Sequence, residues 1–106
     1  MRGLVIATFF RWTLKPGAEA KFRERWNAAT QYYLAEGSHG SSLWAAEDGD
    51  LCAFALWPDR ATRDAAFAKA HSRSTLAPMR DLIAAEKMRV DLDPLDNHWR
   101  LPGHAS

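Results

Sequence analysis

The chain has 106 residues, with 14 Lys and Arg against 13 Asp and Glu and a net charge of +1, so it reads as one domain without the clustered basic face that nucleic-acid binding needs. The single cysteine, Cys52, excludes a disulfide framework and a cysteine-built zinc site, and it fits a reducing compartment. Five Trp and five Phe are more than a core of this size takes comfortably, which leaves aromatics for an interface or a ligand pocket.

Leu4 to Leu14 reads as the first strand. Its bulky residues stand at odd and even positions alike, whereas a strand with one wet face alternates. Both faces of its sheet are therefore expected to be covered, one by helices and the other by a second copy of the sheet. No small-residue cleavage pattern follows this run, and it is too short to span a bilayer. A soluble, cytoplasmic protein without membrane contact is the expectation.

Lys15-Pro16-Gly17 ends the strand, since Pro cannot donate to a ladder and Gly relaxes the turn. A helix is read from Ala18 to Glu36, with Phe22, Trp26, Ala29 and Tyr33 on one apolar stripe and Gly37 as its C-cap. Ser41 to Ala46 and Leu51 to Trp57 read as a hairpin turned at Asp48-Gly49. The second of these strands, Leu-Cys-Ala-Phe-Ala-Leu-Trp, has no polar position and is placed in the middle of the sheet. Asp59 is the expected N-cap of a helix from Arg60 to Ala70.

A third helix is read from Thr75 to Ala85, with Leu76, Met79 and Leu82 or Ile83 as its stripe and Pro78 in its first turn, where Pro is tolerated. Lys87 to Leu92 reads as the last strand, ended by Asp93-Pro94, and the tail from Leu95 to Ser106 as irregular. The order β-α-β-β-α-β, with its second helix split, is the α+β ferredoxin-like pattern of one antiparallel sheet with helices on one face. The domain is taken as residues 1–94, followed by the tail.

Three features carry a resemblance: Leu14-Lys15-Pro16-Gly17 leading into an aromatic-anchored helix, the Asp48-Gly49 hairpin into a strand ending Leu56-Trp57, and the segment Arg63 to His71. Over residues 4–93 the sequence resembles the dimeric α/β-barrel superfamily that includes the antibiotic-biosynthesis-monooxygenase-like proteins. The resemblance implies a homodimer joined through its sheet faces, with a pocket in each subunit between the sheet and its own helices. Some members oxidise phenolic or quinol-like polycyclic substrates with oxygen and no metal or flavin; others degrade haem; others have no established activity. The haem-degrading members carry an Asn, a Trp and a His. Here Phe10 stands at the Asn position, Ala66 or Phe67 at the Trp position, and His71 comes too early, so haem degradation is not expected.

His71 is the candidate base, able to take a proton from a phenol or an acidic ring carbon. The bland alternative is a histidine whose charge offsets a helix C-terminus. Arg80 is the candidate stabiliser of a substrate oxyanion, against a solvated surface role. Phe10, Trp12, Trp26, Trp57 and Phe67 are the candidate walls of a pocket for a flat ring, against ordinary core and interface packing. Arg11 interrupts the first strand, so it should pair with a carboxylate or reach water. His39, His98 and His104 have no ligand spacing, and neither a metal nor another cofactor is expected. The sequence reading is a cofactor-independent monooxygenase of a small aromatic or quinol-type substrate. The alternative is a non-catalytic small-molecule-binding or stress-response homodimer.

Overall fold

A computed structural model describes residues 5–98. Its elements are β1 (Ile6–Leu14), α1 (Glu19–Ala35), β2 (Gly40–Ala45), β3 (Leu51–Trp57), α2 (Arg60–Ala68), α3 (Ala70–Arg80) and β4 (Ile83–Leu92). The strands form an antiparallel sheet in the order β2-β3-β1-β4. This is the ferredoxin-like α+β topology, and β3 lies inside the sheet as its lack of polar residues implies. Leu4, Trp99 and His104 lie outside the described residues.

Strand pairing sorts the side chains. Phe10 pairs with Ala53, and Phe9 with Phe54. Residues opposite one another share a face, so Ile6, Phe10, Trp12, Ala53, Ala55 and Trp57 look toward the helices. Phe9, Phe54, Leu56, Met88, Val90 and Leu92 look the other way. The helix side carries two apolar clusters, one of Ile6, Ala29, Tyr33, Trp57 and Ala66, the other of Trp12, Phe22, Leu51, Ala53 and Met79. Leu76 of α3 packs against both. No helix is long and apolar enough to cross a membrane among the described residues.

The second helical segment differs from the sequence reading. A single extended residue, Lys69, ends α2 and begins α3, so the third helix starts at Ala70 instead of Thr75 and stops at Arg80. The break lets Ala66 and Phe67 pack beside Tyr33 and Trp57 while Ser72, Leu76 and Met79 turn inward farther along. Lys69 also pairs with Glu36 at the end of α1. Pro78 consequently lies in the last turn of α3 and not the first, so the helix forgoes the one bond that its missing N–H would have made. Leu82 and Ile83, read as part of a helical stripe, leave the helix. Ile83 opens β4 four residues before the expected Lys87, because the antiparallel ladder with β1 continues through Leu14 opposite Ile83.

Local signals elsewhere act as expected. Thr62 donates its backbone N–H to Asp59 Oδ1 at 2.7 Å, which caps α2. Arg11 finds its carboxylates in the hairpin: its Nε donates to Asp50 Oδ2 and its Nη2 to Asp48 Oδ2, both at 2.9 Å. Lys87 and Thr13 also donate to Asp50, each at 2.8 Å. On the helix side, Arg63 donates to Asp91 at 2.6 Å and to Thr8 at 3.0 Å, fastening α2 to β1 and β4.

Gly37 has φ +106°, and a Cβ there would stand 2.9 Å from Thr62 Cγ2. Gly37→Ala should cost about 1–3 kcal/mol in urea denaturation, and adding Thr62→Ser should recover the steric part. The Lys87 ammonium, with Thr13 and Arg11, holds the Asp50 carboxyl at about 2, below its ordinary 3.8. Its ionised form is favoured in the folded state. That contribution is complete above about pH 4 and is lost as pH falls through about 2. Asp50→Asn should therefore flatten the acid limb of a stability–pH profile, leaving the slope from Asp48, Asp59 and Asp91, whose carboxyls are also held low.

Candidate functional site

Small residues on the helix side of the sheet leave space beneath α1 and α3. Ala53 and Ala55 of β3, Ser41 of β2 and Ala84 of β4 border a cavity of about 660 Å³. That is within the range of pockets that enclose a small ligand. Its walls include Phe10, Trp12, Trp26, Tyr33, Trp57 and Phe67. The aromatics form two groups. Phe10 stacks on Trp12 with centroids 5.1 Å apart and planes 17° apart. Tyr33 meets Trp57 and Phe67 edge-on, at 5.8 and 5.0 Å. The cavity thus presents ring faces and ring edges with space between, a surface suited to a flat apolar body.

Charge enters from α3 and β4. Arg73, Arg80, Glu86 and Arg89 border the cavity. Glu86 Oε1 accepts from Trp12 Nε1 at 3.3 Å and from Arg89 Nη2 at 3.1 Å, while the Arg89 guanidinium sits 5.4 Å above the Phe10 ring. Arg73 donates to the Ala68 carbonyl at 2.9 Å. Arg80 makes no hydrogen bond or ion pair among the described residues, although its charge acts on Tyr33. Arg80 is exposed at the border of the cavity, and its side-chain donors meet no acceptor among the described residues. The Tyr33 hydroxyl lies 2.5 Å from Ser72 Oγ. Burial pushes the Tyr33 phenol above its ordinary value, so it stays protonated near neutrality.

Of the residues singled out from sequence, Phe10, Trp12, Trp26, Trp57, Phe67 and Arg80 border this one cavity. His71 does not. The sequence reading puts it at the end of the second helix, facing the loop that would rim the pocket. The break at Lys69 puts it in the first turn of α3 instead, exposed, with its ring edge-on to Tyr32 at 4.7 Å. Glu86, Arg89, Arg73 and the Tyr33–Ser72 pair were not singled out. Glu86 stands just before the strand read from Lys87 and Arg89 within it, and the register shift opposite Arg11 and Trp12 sets them beside Trp12 and Phe10 on the cavity side. Tyr33 was placed on the apolar stripe of α1, and nothing in the sequence brings Ser72 to its hydroxyl. No group of three His, Cys, Asp or Glu able to hold a metal occurs among the described residues.

No protein-family model matches the sequence, and no curated protein matches it. Solved structures do. Rv0793 from Mycobacterium tuberculosis superposes with a TM-score of 0.73 at 24% identity, over 88% of this chain and 97% of that one. SnoaB, a cofactor-independent oxygenase from Streptomyces nogalater, gives 0.70 at 18% identity, over 93% and 98%. A protein from Caulobacter crescentus, provisionally named an antibiotic biosynthesis monooxygenase, gives 0.76 at 15% identity, over 90% and 92%. At these identities the likeness is one of fold, and it spans nearly the whole of each chain. The chain therefore shares the fold of these structures.

Proposed function

We propose that the protein is a cofactor-independent oxygenase of a small aromatic, quinol-type substrate and that it works as a homodimer. The observation that carries the reading is the open cavity itself, aromatic-walled and bordered by Arg80, which pairs with no carboxylate among the described residues. A domain using these aromatics only for packing would have filled that space. The likeness to SnoaB supports the reaction class. Phe10, Trp12, Trp26, Trp57 and Phe67 sandwich the ring system. Arg80 stabilises the negative charge that develops on the ring oxygen when a ring carbon loses a proton. Glu86 is the carboxylate at the cavity that takes this proton.

The electron-rich anion then reacts with oxygen. Where a CH₂ becomes C=O, the carbon gives up four electrons and O₂ accepts them. One oxygen atom stays on carbon and the other leaves as water with the two hydrogens. The exposed position of His71 gives it no ligand contact in this scheme.

The homodimer accounts for the other side of the sheet. Trp44, Leu56, Met88, Val90 and Leu92 are 37–48% exposed there, with Phe9 and Phe54 between them. An apolar face of this extent calls for cover, and a second sheet packed face to face supplies it. Phe54 belongs to this face and Ala53 to the cavity.

Light scattering at micromolar concentration should show a dimer, and Phe54→Asp should shift it to monomer by burying an unpaired carboxylate. A folded wild-type monomer would refute the assembly. In oxygen-uptake assays of metal-stripped protein against a panel of quinols and anthrone, Arg80→Gln should lower kcat/KM by about ten- to a hundredfold. Glu86→Gln should lower kcat. A comparable loss in His71→Ala would assign the proton transfer to the imidazole instead. No uptake from wild type, with ligand binding retained, would favour a non-catalytic small-molecule-binding dimer.

A further inference from the structure

Among the polar groups at the cavity that the reaction above does not use is a buried pair of hydroxyls. Tyr33 borders it from α1, and behind Tyr33 lies Ser72, fully buried in the first turn of α3. The two hydroxyls are 2.5 Å apart, and neither makes another side-chain hydrogen bond among the described residues. Two hydroxyls carry two hydrogens, and their mutual bond uses one. If Tyr33 donated to Ser72, the serine hydrogen would be stranded at a site with no access to water. If Ser72 donates to Tyr33, the phenolic hydrogen is the one left over, and it belongs to the residue that fronts the cavity. Leaving a buried donor unsatisfied is costly, so the second arrangement is favoured, with the free hydrogen offered to whatever the cavity contains.

We propose that Tyr33, oriented by Ser72, donates a hydrogen bond to an oxygen substituent of the bound aromatic, so that the cavity selects rings bearing a carbonyl or phenolic oxygen over hydrocarbons of the same shape. This deepens the oxygenase reading and rests on its premise that the cavity takes an aromatic ligand. Three further observations agree with it. Trp57 and Phe67 hold the Tyr33 ring edge-on from two sides, which fixes where its hydroxyl points. Burial keeps the phenol protonated and hence a donor. The charge of Arg80 reaches the same hydroxyl, so an oxygen placed there also lies in the field of that guanidinium. Ser72 is a positioning residue, acting through Tyr33.

The test compares 2-acetylnaphthalene with 2-ethylnaphthalene, which match in shape but differ in the acceptor oxygen. Calorimetric titration of wild type should show the ketone bound about tenfold more tightly, the effect of one net hydrogen bond. Tyr33→Phe should abolish that preference while still binding the hydrocarbon. The infrared carbonyl stretch of the bound ketone should move to lower frequency in wild type and return in Tyr33→Phe. Ser72→Ala should broaden the band and reduce its shift, and Ser72→Thr should restore it. A loss of stability alone would change neither the band position nor the ratio of the two affinities. Equal affinities in wild type, or a carbonyl shift that survives in Tyr33→Phe, would overturn the role of Tyr33 and leave the aromatic site standing. If wild type bound neither naphthalene, the aromatic site and the hydroxyl role would fall together.

Discussion

The pairing of β1 with β3 is the constraint on which the rest of the structure depends. With Phe10 opposite Ala53 and Thr8 opposite Ala55, the register turns the two small side chains of β3 toward the helices. With Phe9 opposite Phe54 and Ala7 opposite Leu56, it turns large ones away. A slip of one residue would exchange the two sets, because side chains alternate with a period of two. It would fill the space beneath α1 and α3 with Phe54 and Leu56. The cavity and the apolar outer face are thus two results of one register.

Charged groups hold that register in place from both sides of the sheet. Asp50, in the tight turn between β2 and β3, is gripped by Arg11 from β1 and Lys87 from β4, which ties three strands together at one end. Asp91, near the end of β4, is gripped by Arg63 from α2 and accepts from Thr8. An uncompensated charge in either place would be costly. Each is instead met by a partner from a different element, so the ion pairs specify which strands meet and where. Asp50 is buried and its carboxyl is held low by these partners, so its pairs add stability above acid pH as well as specifying which strands meet.

The break at Lys69 sets the course of α3, whose Arg73 and Arg80 join Glu86 and Arg89 of β4 in the charged border of the cavity. Two short helices meet at this one extended residue. They bring Ser72 beneath Tyr33 and set Arg80 beside the aromatic walls. The same break moves His71 to the outside of the layer. This change of direction sets which residues of α3 meet the cavity, while Arg89 reaches it through the register of β4.

Much of the architecture was legible in the chain itself. The odd-and-even apolar pattern of β1 and the unbroken apolar run of β3 placed both strands within the sheet. Lys15-Pro16-Gly17, Gly37, Asp48-Gly49 and Asp59 marked real boundaries, because turn and cap chemistry acts over a few residues. The aromatics and Arg80 were legible as a set, since bulk and charge are properties of single side chains. The start of α3, the early start of β4 and the partnership of Tyr33 with Ser72 were not. Each is decided by contacts between residues far apart in sequence: Leu14 with Ile83, Tyr33 with Ser72, Glu86 with Trp12. The sequence by itself determined the order of elements and the stock of side chains. The tertiary structure alone decided which of them face one another, because strand register and helix direction are set by packing across the whole domain and not by any local run of residues.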